Sequence, residues 1–236
     1  MVYGRNISEP WVSEAIAALE MILPWGTYLR GGPLNIADAS LIEELKLVEL
    51  ARPKRQREFL AGRHYARQAL VAAGGSSVPI GIGALRAPRW PDGFVGTISH
   101  TDRLCAAIVA RTRDISGIGM DIEESTPLSP DLHSLVVQPG ELSDAHELSN
   151  RLGFDAAKLI FVAKEAFYKL YSPLTGVFLD FLDVALEIDT NRSCFLVRLA
   201  SENLPAFRGA REALGRFGSA DGFIFAVIGL ASKIEL

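Results

Sequence analysis

Apolar and polar positions alternate along this chain with three different textures. Over residues 12–23 the apolar side chains Val12, Ile16, Leu19 and Leu23 recur at helical spacing, and Pro24 with Gly26 closes the run. Ser40 stands where it would cap a second short helix reaching Leu50. After Pro53 a longer amphipathic run carries Phe59, Tyr65, Ala66, Leu70 and Ala73 on one stripe and ends at Gly74-Gly75, the best helical pattern of the first half. From Pro79 to Glu123 the texture changes to short apolar runs split by Gly, Pro and Asp. Residues 95–99, 104–110 and 115–122 predict three strands, with turns at Thr101-Asp102 and over 111–114. Ser125-Thr-Pro-Leu-Ser-Pro then reads as a linker, dividing the chain into 1–124 and 125–236. Beyond it, residues 154–171 predict a helix stopped near Pro173, and 184–188, 194–199 and 223–230 predict strands. Each half combines a long helix with strands, so the expected class is α+β. No repeat is visible in the letters themselves.

Composition changes this picture in two ways. The chain has 236 residues, 49% of them hydrophobic, enough for a full core in one large or two small domains. The net charge of −4, from 24 basic and 28 acidic side chains, provides no general pull toward nucleic acid or an anionic membrane, so any basic site must be local. Cys105 and Cys194 are too few for a disulfide scaffold and lack zinc spacing, which points to a reducing cytoplasm. Glu9, Pro10 and Glu14 fall where an export signal would be apolar. The longest apolar stretch, 223–232, is broken by Gly229 and is about half the ~20 residues of a membrane span. The expectation is a cytoplasmic enzyme or binding protein.

Four clusters carry candidate chemistry. Gly119-Met-Asp121-Ile-Glu123 ends a predicted strand, and alternation puts both carboxylates on one face. Such a pair stays ionised only with a cation between its members or water around them, and oxygen ligands of this kind suit magnesium beside substrate phosphates; a solvated strand end is the other reading. Glu165 and Lys169, four apart on the predicted helix, share a face and suit either one site or a surface ion pair worth ~0.2–0.5 kcal/mol. Ser99-His100-Thr-Asp102 contains the letters of a hydrolase triad, but consecutive strand residues point to opposite faces and no nucleophile elbow is present, so phosphate contact or turn capping remains. Arg52, Lys54, Arg55, Arg57, Arg63 and Arg67 form a basic cluster in and before the first long helix, either a phosphate site or a solvated face. Gly81-Ile-Gly83 lacks the third glycine of a dinucleotide loop.

The order of these motifs is more specific than any of them. Lys54-Arg-Gln-Arg-Glu-Phe-Leu-Ala-Gly-Arg-His-Tyr-Ala-Arg, Trp90-Pro-Asp-Gly, Gly96-Thr-Ile-Ser-His, Gly119-Met-Asp-Ile-Glu and Phe161-Val-Ala-Lys-Glu-Ala-Phe-Tyr-Lys together resemble the 4′-phosphopantetheinyl transferases, in particular the monomeric type that activates siderophore, nonribosomal peptide and polyketide synthases. The match covers about Arg52 to Phe181. The resemblance implies two similar α/β halves related by a pseudo-twofold axis, with coenzyme A between them. It implies Asp121, Glu123 and Glu165 as magnesium ligands, Lys169 at the pyrophosphate, Arg55 and Arg63 on the phosphates of coenzyme A, and Ser99 with His100 at the nucleotide. Many relatives carry a lysine ahead of the Trp-Pro-Asp-Gly segment, where this chain offers Arg86, and Phe161 stands where many have tryptophan. The implied reaction moves 4′-phosphopantetheine from coenzyme A to a serine of an apo acyl or peptidyl carrier protein, releasing adenosine 3′,5′-bisphosphate, with Glu165 as ligand and proton acceptor. The alternatives are a non-catalytic module binding coenzyme A or a carrier, and a magnesium-dependent phosphohydrolase using water on the same carboxylates.

Overall fold

Proline opens and glycine closes the first long helix, because proline has no N–H to leave orphaned at a helix start and glycine accepts the left-handed backbone that ends one. The computed structural model describes residues 10–36, 41–142 and 145–232, and the cap expected at Ser40 lies outside the described residues. In chain order α1 (Pro10–Glu20) leads to β1 (Thr27–Pro33), then to the short α2 (Ile42–Lys46) and to α3 (Pro53–Ala72), which has Pro53 in its first turn and Gly74 at φ +82° just beyond its end. A two-residue hairpin, β2 (Gly81–Ile82) with β3 (Pro88–Arg89), precedes β4 (Phe94–His100), β5 (Leu104–Arg111) and β6 (Ile115–Glu124). Two shorter helices, α4 (Pro130–Val136) and α5 (Ala145–Leu152), come before α6 (Ala156–Thr175). The Asp155 side chain caps α6 by accepting from the Lys158 N–H, and the helix passes Pro173 to stop at left-handed Gly176. Four strands complete the chain: β7 (Val184–Asp189), β8 (Cys194–Leu199), β9 (Glu212–Ala220) and β10 (Phe223–Ala231).

The strands form a three-stranded sheet in the order β1-β5-β4 and a five-stranded sheet in the order β6-β10-β9-β8-β7, every pairing antiparallel. One plan occurs twice. A strand (β1 or β6) is followed by a twenty-residue helix (α3 or α6), and a later hairpin (β4–β5 or β9–β10) brings its second strand back to pair with the first. The α+β class therefore holds, with the two halves alike in connection.

Alternation along the central strands explains where the core lies. In β5, Leu104, Ala106, Ile108 and Ala110 face the other sheet, where they meet Met120 and Ile122 of β6 and Phe223, Phe225 and Val227 of β10. Cys105 and Ala107 turn the other way, onto α3. A strand buried on both faces reads as the unbroken apolar run seen at 104–110. Likewise Ile224, Ala226 and Ile228 pack against α6, under Phe167 and Tyr171.

β6 serves both halves. Its ladder hydrogen bonds go to β10, while the opposite edge is held by hydroxyls of β4: Met120 N–H donates to Thr97 Oγ1 and Ile122 N–H to Ser99 Oγ, both at 3.2 Å. Two sheet edges that would otherwise expose unpaired N–H groups thus close on each other through side chains. Two strands escape the hydrophobic pattern because glycine interrupts them. In β1 a Cβ on Gly32 would collide with the Tyr65 ring, and in β9 a Cβ on Gly215 would collide with the Phe195 ring. Close approach selected these glycines at the expense of a readable strand signal. Among the described residues no helix is long and apolar enough to cross a membrane.

Candidate active site

A cleft of ≈ 530 Å³ opens between α3 with β4 on one wall and β6 with α6 on the other. It is lined by Arg55, Arg63, Arg86, Ser99, His100, Asp121, Glu123, Glu165 and Lys169, whereas Arg52, Lys54, Arg57, Arg67 and Asp102 of the sequence candidates are not part of its lining. The strand phase that turns Met120 and Ile122 into the inter-sheet core turns Asp121 and Glu123 toward the cleft. α6 reaches this strand because residue 119 is glycine; a Cβ there would run into the Ala166 carbonyl and the Leu170 N–H. That contact brings Lys169 over Asp121.

Asp121 is only 4% exposed. Its Oδ1 accepts from Lys169 Nζ at 2.7 Å and from Ser99 Oγ at 2.8 Å. Its Oδ2 is buried without a hydrogen-bond partner, the one such side-chain atom among the described residues. An orphaned buried acceptor costs about 1–3 kcal/mol, and more when it is charged. Glu123 pairs with Lys158 at 3.3 Å; burial and then the Asp121 charge push its carboxyl above the usual range, against the pull of Lys158. Glu165 has no hydrogen-bond or ion-pair partner among the described residues. Burial raises its proton affinity most, Asp121 and Glu123 add to that, and Lys169 opposes. The three carboxylates therefore feel one another across the cleft. Among the described residues no three His, Cys, Asp or Glu side chains converge into a ready-made metal cage. An open set of carboxylates with one orphaned oxygen suits an ion such as magnesium, which keeps waters and draws part of its shell from substrate phosphates.

The Ser99 hydroxyl is fully committed. It donates to Asp121, accepts from Ile122 N–H and accepts from Lys169 Nζ at 3.1 Å. Direct phosphate contact would require its hydrogen to be redirected, and its present work is to hold Asp121. No hydrolase relay exists here, since Asp102 pairs with Lys54 at 2.6 Å on the surface and Ser99 faces Asp121. His100 sits at the cleft mouth with Arg55 Nη1 3.3 Å from its Nε2 and Glu58 3.8 Å away. Burial holds its proton affinity below the ordinary imidazole value, with Glu58 opposing and Lys169 and Arg55 assisting. A neutral ring whose Nε2 accepts from Arg55 satisfies both observations.

The basic cluster of α3 divides. Arg55 and Arg63 line the cleft. Arg63 is nearly buried, donating to the carbonyls of Ile80 (2.7 Å) and Gly81 (3.1 Å) with its guanidinium 4.3 Å from the centre of the Phe59 ring. Desolvation lowers its pKa to about 10. Arg67 instead pairs with buried Glu44, whose other oxygen accepts from Ile80 N–H, and it stands outside the cleft. Sequence reasoning missed Thr97, Glu58 and Lys158. Thr97 was findable, being two residues before Ser99 on the same strand face, and Glu58 lies one turn after Arg55; the pairing of Lys158 with Glu123 spans 35 positions and leaves no local trace.

Comparison with known proteins identifies the family. The family model of the 4′-phosphopantetheinyl transferase N-terminal domain matches residues 43–110, and that of the 4′-phosphopantetheinyl transferase superfamily matches 117–224. The chain is 35% identical over 195 residues to the 4′-phosphopantetheinyl transferase Svp of Streptomyces mobaraensis, covering 80% of this chain and 78% of that protein. It is 33% identical over 218 residues to the 4′-phosphopantetheinyl transferase Npt of Nocardia iowensis, covering 84% and 97%. A shorter match, 38% over 128 residues, links it to enterobactin synthase component D of Salmonella typhi, covering 50% and 49%.

Proposed function

Because the chain belongs to the 4′-phosphopantetheinyl transferase superfamily, and so is a transferase that moves phosphopantetheine to carrier proteins, we propose how its cleft performs that transfer. The observation that carries the reading is Asp121: one oxygen is fixed by Ser99 and Lys169, the other is buried and unmet, and Glu123 and Glu165 share its cleft. Asp121, Glu123 and Glu165 would hold magnesium together with oxygens of the coenzyme A pyrophosphate. When bound, that ion supplies charge neutralisation at the oxygens that become more negative as transfer proceeds. Lys169 adds a fixed positive charge on the same pyrophosphate. Arg55, Arg63, Arg86 and His100 hold the phosphates and nucleotide of coenzyme A, with Arg63 pre-set by its two carbonyl partners. Ser99 keeps Asp121 oriented at the nucleotide side of the cleft.

The carrier serine oxygen attacks the phosphorus attached to pantetheine. A new O–P bond forms as the bond from that phosphorus to the bridging oxygen breaks, and the electron pair leaves on adenosine 3′,5′-bisphosphate. The serine proton passes to Glu165, directly or through water, and the elevated proton affinity of Glu165 suits it to accept. Holding both partners in line contributes much of the rate. One wall comes from α3 and β4, and the other from α6 together with β6, which precedes Ser125 in the chain but belongs to the five-stranded sheet. The working unit is a monomer in the cytoplasm: the motif order resembles the monomeric type of the family, and two free cysteines suit a reducing compartment. The named relatives favour a carrier in siderophore or other secondary metabolite synthesis.

The test is incubation with coenzyme A, magnesium and a panel of apo carrier domains, read by intact mass. The expected result is a gain of one phosphopantetheine on at least one carrier, lost on chelation. Free phosphopantetheine without carrier modification would mark a phosphohydrolase instead, and unchanged masses despite coenzyme A binding would mark a non-catalytic module.

A further inference from the structure

The cleft has a wall that the proposed chemistry leaves unused. Beyond Asp121 it continues past Gly117 to Pro173 and Leu174 at the end of α6, and there Arg208 joins the lining from the connection between β8 and β9. Nothing in the letters around Arg208 suggests a site. Its backbone does. Arg208 and Gly209 are the central pair of a tight turn in which the Phe207 and Ala210 N–H groups each donate to the other's carbonyl at 2.9 Å, and their φ angles are +53° and +81°. Positive φ at both central positions suits Asn-Gly, and a long side chain at the first of them is disfavoured.

The turn is held rigidly. Phe207 is fully buried against Phe167 and Tyr171, the Tyr171 hydroxyl donates to the Pro205 carbonyl at 2.9 Å, and Arg211 donates to the carbonyls of Ser201 and Leu204. A strained residue on an over-determined turn is the signature of a side chain kept for its direction. Yet the Arg208 guanidinium has no hydrogen bond or ion pair among the described residues. Arg86 shows the same combination: φ +63°, a place in the same cleft, no such partner among the described residues, and a turn that touches α6. Two left-handed arginines from the two halves therefore line one cleft, whose lining also includes Leu85, Trp90 and Leu174.

We infer that Arg208 is a coenzyme A contact supplied by the C-terminal half, its guanidinium lying against the adenosine 3′,5′-bisphosphate portion across from Arg86. A guanidinium can stack on a planar base and bind a phosphate through two hydrogen bonds, and an apolar wall beside it suits the base. The inference rests on coenzyme A occupying the cleft.

Calorimetry with adenosine 3′,5′-bisphosphate tests it, comparing the unaltered chain with Arg208→Gly and Arg208→Lys. Glycine removes the cation and relieves the left-handed backbone, so its melting temperature stays level or rises while bisphosphate affinity falls about tenfold or more. Lysine restores part of the affinity. In transfer assays the KM for coenzyme A rises by a similar factor with kcat nearly unchanged, as expected for a contact made equally before and during the reaction. Unchanged bisphosphate affinity in Arg208→Gly overturns the inference while leaving the transferase reading standing. Failure of the unaltered chain to bind either coenzyme A or the bisphosphate overturns both.

Discussion

The two halves of this molecule use one connection plan and treat charge in opposite ways. On the N-terminal side, three arginines of α3 are matched: Arg67 with Glu44, Arg63 with two carbonyls, Arg55 with Glu58 and His100. On the C-terminal side, α6 faces Asp121 with one oxygen unmet and presents a Glu165 that has no partner among the described residues. Matched charges make a stiff wall, while unmatched carboxylates keep free energy available for whatever cation and phosphate arrive. Disturbing the first half should therefore cost stability, and disturbing the second should cost activity.

The largest expected effect is on stability. Glu44→Ala removes the carboxylate from Arg67 and the acceptor from Ile80 N–H in a fully buried position, and should cost about 3–5 kcal/mol in denaturant unfolding. A loss under about 1 kcal/mol would mean that α3 is not fastened by this pair. Next, Asp121→Ala should lower transfer by about 10²–10³-fold, read by carrier mass gain, with the fold kept because removing the unmet Oδ2 offsets part of the lost bonds to Lys169 and Ser99. Normal turnover in that variant would break the contrast between the halves outright. Gly119→Ala should cost about 1–3 kcal/mol by pushing α6 off β6, and should reduce activity by more than its stability loss explains, since Lys169 moves with the helix. An unaltered melting temperature would show that the helix yields without strain.

The smallest effect concerns pH. His64 and His100 are both held below the ordinary imidazole value of 6.5, burial being the main cause in each. Between their folded values and 6.5 the unfolded chain binds more protons, so the stability they contribute is complete above 6.5 and is lost as pH falls through the folded values. NMR titration of the imidazoles should give midpoints below 6.5, and Glu58→Gln should lower the His100 midpoint further because Glu58 opposes the shift. A His100 midpoint above 6.5 would remove the neutral ring from the matched cluster.

Local periodicity carried a great deal. Alternation put Asp121 and Glu123 on one face, helical phase put Glu165 and Lys169 on another, and the strands at 94–100, 104–111 and 115–124 lie within two residues of where the apolar runs predict them. What stayed hidden has a common cause. Residues 27–33 and 212–220 are strands whose glycines exist to admit Tyr65 and Phe195, so the packing that demands them also erases their pattern. The hydroxyl zipper from Thr97 and Ser99 to β6, the Lys158–Glu123 pair and the arginine at the tip of the 207–210 turn all join positions far apart in the chain.

The amino-acid order by itself determined which side chains share a strand face or a helix face, because backbone geometry repeats every two or 3.6 residues. Only the tertiary structure decided which faces meet, which carboxylate oxygen goes unmet and which arginines stay free to bind, because those outcomes depend on approach distances between separate elements that no local period encodes.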